Sequence, residues 1–385
     1  MNIISLLIFI FILFMLVIIH EAGHFIFAKI MKMRVDEFAF GFPPRLFSKK
    51  IGETKYSFNL IPLGGYVKIF GENGIDDSEN TKREDRQDRR DMHRSFESKG
   101  FWAKLIVLSG GVLFNFIACI LLLTLSFLFS KQISLSEDEA AKIALDQRSL
   151  IVTSVDIKSN LKSQNINVED KIISISSNGQ TLTGVALTKT SFTDLIQKNT
   201  DELMEVKLLD NKTNKEKIVS AVPQAGIVDG KKVLGLSVLD VAYTKLGFLE
   251  AIQKAYSFTM YQTKFIFTEL YKLIINSFNG TANIKDSLAG PIGLASATRD
   301  IGERSVSTVL AFAAMLSLSL AIFNILPIPA LDGGRILFIF VDELSKKILK
   351  KKIPHTAEKL FHTSGFILLM ILFVFVTYSD IAKLF

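Results

Sequence analysis

The sequence predicts a polytopic α-helical membrane protein with four transmembrane helices, a membrane-associated β-hairpin or sheet, and one folded extramembrane domain. Three observations predict it. Of 385 residues, 49% are hydrophobic and the mean hydropathy is +0.34, too apolar for an ordinary soluble chain. Four runs carry no charge: 1–19, 105–130, 305–331 and 363–379. A span needs about 20 mostly apolar residues; three runs supply that alone, and the fourth does once Phe361 and its neighbours are counted. Finally, basic residues crowd two intervening segments, with 16 Lys and Arg in 29–104 and six in 342–359.

The first span covers 1–30. It lacks the basic start and small-residue cleavage site of a signal peptide, so it is expected to stay in place. In 31–102, Tyr56, Phe58 and Leu60 alternate with Ser57 and Asn59, a strand pattern. Ile61-Pro62-Leu63-Gly64-Gly65 is turn-like and Tyr66–Phe70 is a second strand, which predicts a greasy hairpin around 55–70. Residues 72–100 are charge-dense with mixed sign and read as a solvated linker. The second span covers 103–130. Residues 131–240 read as a small β-rich or α/β domain, with strands near 150–152 and 171–175 and a turn at Asn178-Gly179. Residues 241–304 mix aromatic and lysine residues and predict amphipathic helices at the membrane interface. The third span covers 305–332, a basic loop 333–360, and the fourth span 361–380. The positive-inside rule puts both basic segments in the cytoplasm. Both termini and 131–304 then lie outside, consistent with four spans. The net charge of +7 is read as this topological bias, with the lipid bilayer as partner and no nucleic acid. The single cysteine, Cys119, excludes an intrachain disulfide and reads as a packed residue.

His20-Glu21-Ala22-Gly23-His24 matches H-E-x-x-H. Four residues apart on a helix, the two imidazoles share a face and can hold Zn²⁺, with Glu21 on the adjoining side in reach of a metal-bound water. A carboxylate and two imidazoles inside an apolar helix are costly, and a metal compensates directly. A catalytic zinc takes a third protein ligand. His93, His355 and His362 lie in or next to cytoplasmic segments and read as solvated. Asp332 is the first charge after 27 uncharged residues, at the same end of the bilayer as His20. Pro327, Pro329 and Gly333-Gly334 free the backbone around it. Asn324 either hydrogen-bonds a substrate backbone or oxyanion, or makes a helix–helix hydrogen bond. A peptide hidden in a transmembrane helix could add to the edge of the sheet near 55–70, with Gly64, Gly65 and Tyr66 in contact; the other reading is that the sheet only braces the first span. The rival class is a non-proteolytic membrane metal-binding scaffold or transporter. A transporter would string polar residues across several spans, whereas here they gather at one depth.

Those motifs, with Ile61–Lys68, Asn324–Gly334 and Ala289-Gly290-Pro291-Ile292-Gly293, resemble the site-2 protease family, nearest the bacterial regulator-of-sigma-E proteases. The resemblance implies regulated intramembrane proteolysis in the bacterial inner membrane. It implies zinc held by His20, His24 and Asp332, Glu21 as base, and a single PDZ-like domain outside. Its substrates would be single-span proteins trimmed beforehand, such as anti-sigma factors or signal-peptide remnants. The family's Gly-Pro-x-x-Asn in the second span is here Gly111-Val112-Leu113-Phe114-Asn115, without the proline.

Overall fold

The structure is a computed structural model that describes residues 3–72, 90–130, 133–134, 148–155, 161, 164–199, 202–211, 213–225, 232–242, 245–279, 305–350 and 353–382. Most of the linker expected at 72–100, and all of Ala289–Gly293, lie outside the described residues. The helices are α1 (Ile3–Ile30), α2 (Phe101–Phe129), α3 (Lys189–Lys198), α4 (Phe248–Phe278), α5 (Val306–Ile325), α6 (Asp332–Ile348) and α7 (His355–Ala382). Strands β1 (Val35–Ile51) and β2 (Thr54–Ile69) follow α1. Between α2 and α4 lie β3 (Ile133–Ser134), β4 (Arg148–Val155), β5 (Lys171–Ser177), β6 (Gln180–Thr183), β7 (Met204–Leu209), β8 (Glu216–Ala221), β9 (Gln224–Ala225), β10 (Lys232–Val233) and β11 (Leu236–Ala242). The chain forms two compact units, 1–129 with 247–385, and 130–246.

Among the described residues of the first unit, four helices are long and apolar enough to cross a membrane: Ile4–Ile30, Phe101–Phe129, Val306–Ile325 and Thr356–Tyr378. Helix α2 is central, packing on α1, α4, α5 and α6. Its approach to α1 is backbone to backbone, since a Cβ on Gly23 would lie 2.2 Å from the Gly110 carbonyl oxygen. Small residues permit such crossings where lipid supplies no hydrophobic drive between helices. Ser317 donates to the Asn115 carbonyl at 2.8 Å and Ser126 to that of Ser307 at 2.7 Å, joining α5 to α2.

The third span is shorter than the sequence predicts. Helix α5 ends at Ile325, and its cap Leu326 is extended (φ −63, ψ 142), the backbone region a following proline imposes. Asp332 therefore opens a separate helix, α6, which fills much of the expected loop 333–360. Helix α4 is one 31-residue element whose Ala251, Ala255 and Thr259 are fully buried. The Thr259 hydroxyl lies 3.6 Å from Cys119 Sγ, inside α2, so this part of α4 packs against a span.

The β-sheet differs from a simple hairpin. Gly41 (φ +80) and the prolines after Phe42 bend β1, so its first half lies between the two halves of β2. Phe38 pairs with both Val67 and Tyr56, and Phe40 with both Gly65 and Phe58. Beyond the bend Phe47 pairs with Phe58 and Ile51 with Thr54. The order is 61–69, 35–42, 54–60, 45–51. Tyr56–Leu60 and Tyr66–Phe70 are expected to pair with each other; 35–42 separates them instead, and among the described residues segment 61–69 has a ladder on one side only. Glu53, between the strands, accepts from Lys29 at the end of α1 (2.6 Å) and from Arg94 (2.8 Å).

The second unit is an antiparallel sheet ordered β3-β11-β4-β5-β7-β8, with β6 beside β5. Asn178-Gly179 turns β5 into β6 with both residues at positive φ, as this pair favours. Phe192, Leu195 and Ile196, one face of α3, join Val152, Ile175, Val206 and Leu208 in its core. Thr188 and Ser191 form a capping box at the start of α3.

Candidate active site

His20 and His24 are one helical turn apart on α1, and α2 supplies the surface against them. Gly111 makes this possible: a Cβ there would lie 2.5 Å from His20 Cε1 and from His24 Nε2. The His24 Nδ1–H donates to the Val107 carbonyl at 2.9 Å, which leaves Nε2 as a lone pair. The fully buried Asn115 has its amide Nδ2 3.4 Å from His20 Nδ1, and amide N and O exchange places by a half-turn of the group. Turned so that Oδ1, which has no partner, accepted from an Nδ1–H, it would free His20 Nε2 in the same way. Asp332 arrives from the start of α6. Gly333 and Gly334 let that helix start press against its own loop, with Cβ positions that would fall 2.1 Å from the Leu326 oxygen and 2.3 Å from the Ile328 oxygen.

The three side chains meet in a triangle. Asp332 Oδ2 is 3.0 Å from His20 Nε2 and 3.2 Å from His24 Nε2, and the two nitrogens are 3.3 Å apart. All three are largely buried, with side-chain exposures of 11%, 10% and 16%. Asp332 Oδ2 has no well-formed hydrogen bond, so acceptors face acceptors. A proton could relieve one edge; a cation at the centre satisfies all three. Tetrahedral zinc with bonds of about 2.0–2.1 Å separates its ligands by about 3.3–3.4 Å, within a few tenths of an ångström of this triangle. The donors fit a zinc ion with a fourth position open.

From residue 8 to residue 372 the chain matches the model of peptidase family M50. It belongs to that family. A zinc metalloprotease RasP of Geobacillus kaustophilus is 26% identical over 99% of this chain and 98% of its own. The regulator of sigma-W protease RasP of Bacillus subtilis is 27% identical over 98% of both. A Clostridium perfringens chain with a provisional zinc-metalloprotease name is 29% identical over 95% of both. This M50 protein is thus a zinc metalloprotease, with zinc as its cofactor.

Glu21 faces a cleft of about 400 Å³ that it shares with His24, Asp332, Arg335 and the strand residues Tyr66–Ile69. Gly65 brings the strand close, since a Cβ there would be 3.3 Å from Glu21 Cγ. Of the residues expected to touch substrate, Tyr66 borders this cleft, and Gly65 lies next to Glu21 without lining it. Gly64 instead packs on the Phe42 ring, 2.4 Å from its absent Cβ. Asn324 is half-buried and hydrogen-bonds no described side chain. Glu72, just past β2, pairs with Arg335, one turn after Asp332, and ties the sheet to α6. His93 is exposed, as expected. His362 is not simply solvated: its Nδ1 accepts from the Ala330 N–H at 3.2 Å. Sequence reasoning missed the contacts of Val107 and Glu72 and the place of Asn115 beside His20. An asparagine and a Gly-Gly pair inside an uncharged span were the available signals.

Proposed function

We propose that this M50 protease hydrolyses peptide bonds in or beside the transmembrane segment of single-span membrane proteins. One observation carries the reading: Glu21, His24 and Asp332 line one cleft together with Tyr66–Ile69, the end of a strand segment that is paired on one side among the described residues. His20, His24 and Asp332 would hold the metal. Bound there, zinc supplies a Lewis acid that polarises the scissile carbonyl and activates water. Glu21 takes the proton released and passes it to the leaving amine. A helical substrate hides its amides in its own hydrogen bonds, so it must unwind. The edge 61–69 offers replacement partners by strand addition. Gly65 leaves room for the added strand beside Glu21, Tyr66 flanks it, Gly64 keeps the bend next to Phe42, and Asn324 retains a free amide for the substrate backbone or oxyanion.

The same reading sets both termini and residues 131–240 on the outer side of a bacterial cytoplasmic membrane. The β-rich unit acts as a single PDZ-like domain that excludes substrates still carrying bulky ectodomains. The sigma-W regulator name of the Bacillus subtilis relative supports an anti-sigma factor-like substrate class, with signal-peptide remnants as a second source.

The test is Glu21→Gln. It should keep zinc, lower cleavage roughly 10²–10⁴-fold, and cause single-span fragments to accumulate in membranes. His20→Ala should lose both metal and cleavage. A metal-free Glu21→Gln beside a fully loaded His20→Ala, or no accumulating fragments, would overturn the assignment.

A further inference from the structure

We propose that His362, on α7, is a positioning residue that holds Asp332 in line with His20 and His24. The inference rests on Asp332 being a zinc ligand. Between α5 and α6 the chain must reverse within Leu326–Leu331, and it does so through an unusual residue. Ala330 has φ +76, the left-handed region that side-chain-bearing residues avoid. Such a conformation persists only where neighbours over-determine it. The neighbours here come from α7. The Ala330 N–H donates to His362 Nδ1 at 3.2 Å. One turn further along α7, Gly365 admits Pro329, whose Cβ would stand 2.1 Å from a Cβ on that glycine. The His362 ring is itself held, with ring centroids of Phe361 at 5.3 Å and Phe338 of α6 at 6.4 Å.

The loop is thus clamped at two consecutive residues, 329 and 330, and the next helix begins two residues later with Asp332. If Ala330 relaxed to negative φ, the Leu331–Asp332 peptide would turn and carry the carboxylate off the triangle. A shift of only a few tenths of an ångström matters for a metal bond. The rest of α7 offers little alternative anchorage. Phe366, Ile367, Leu368, Ile371 and Val374 are 53–62% exposed, as lipid-facing side chains are. His362 does not touch the metal site itself; it acts through the backbone of Ala330, the kind of outer partner that orients a ligand.

The acceptor must sit at the Nδ1 position, which gives the test its discrimination. The amide oxygen of asparagine falls near the place of histidine Nδ1; that of glutamine falls near Nε2. The full chain, purified in detergent and loaded with Co²⁺, would be read by its visible d–d absorption and by chelator competition for Co²⁺ and Zn²⁺. His362→Phe and His362→Gln should shift the d–d bands and weaken metal binding roughly 10–100-fold. His362→Asn should restore spectrum and affinity to within about threefold of the unaltered protein, since it recovers the orienting bond. Equal behaviour of the Asn and Gln variants would overturn the proposal, and that comparison survives even if the Phe variant fails to fold. A His362→Phe protein with unaltered spectrum and affinity would also overturn it. Asp332→Ala separates the two levels. If it leaves the spectrum unchanged, the ligand assignment itself fails; if it alters the spectrum while every His362 variant does not, only the positioning role fails.

Discussion

Gly111→Ala should strongly weaken metal binding although it adds only one methyl group and removes no ligand. The new Cβ would lie 2.5 Å from His20 Cε1 and 2.5 Å from His24 Nε2. Ordinary contact requires roughly 3.4–4 Å, so the rings would have to retreat by about 0.9 Å or more. The helices make room only by giving up the close Gly23–Gly110 packing between α1 and α2, which is itself costly. Metal–ligand distances tolerate only about ±0.2 Å, so at least one imidazole leaves the zinc. The expected loss of affinity exceeds about a hundredfold, or about 2.7 kcal/mol at 1.36 kcal/mol per decade. Overpacking should also cost roughly 1–3 kcal/mol of stability. Gly100→Ala is the control: nothing lies within 4 Å of its Cβ. Zinc content after dialysis against a graded chelator series, with thermal unfolding in detergent, reads both effects. A Gly111→Ala protein that holds zinc as tightly as the Gly100→Ala control would refute the packing argument.

Further outcomes follow from other contacts. Asn115→Ala removes the amide beside His20 Nδ1 and should weaken zinc binding roughly 10–100-fold in chelator competition; unchanged affinity would remove Asn115 from the site. Asp332→Asn should abolish proteolysis and weaken zinc binding, whereas Asp332→Cys should keep some metal, because thiolate is a good zinc ligand. Under the proposed topology, a cysteine introduced near Asn178 in a Cys119-free chain should react with an impermeant thiol reagent added outside intact cells. Labelling only after the membrane is opened would reverse the orientation. Hydrogen bonding from Arg94, reinforced by Lys29, holds the Glu53 carboxyl below its ordinary value of 4.5. Its contribution to stability is therefore fully present above pH 4.5 and fades as pH falls through the depressed value. The unfolding-temperature gap between the native chain and Glu53→Gln should be constant from pH 7 to 5 and narrow below that.

What the sequence made legible is what local geometry determines. H-E-x-x-H needs no tertiary knowledge, since a helix alone places His20 and His24 on one face. The spans follow from run length against bilayer thickness, and α5, at 20 residues, is about 30 Å long. The place of Asp332 beside the two histidines was reachable by elimination. Yet its setting was misjudged: it opens α6 instead of closing α5, because Pro327 terminates the helix well before the uncharged run ends. Absence of charge marks apolar sequence, and backbone hydrogen bonding decides where a helix stops.

The sheet illustrates a deeper limit. Alternation at Tyr56–Leu60 identifies strands correctly but carries no information about their order, which depends on pairings across the chain. The bend at Gly41 places 35–42 between the halves of β2 and so leaves 61–69, among the described residues, as an edge strand whose Gly65 lies beside Glu21. Val107 and Asn115 are similarly non-local, 83 and 95 residues from the histidines they meet. One signal was nonetheless present. Each glycine inside a helix costs up to about 1 kcal/mol relative to alanine, so Gly110-Gly111 in an otherwise uninterrupted apolar helix calls for a compensating contact. That contact is the crossing with Gly23, between the two histidines. A glycine pair in one span and a glycine between two metal-ligand candidates in another therefore identify the same close approach, and with it the helix that orients the metal site.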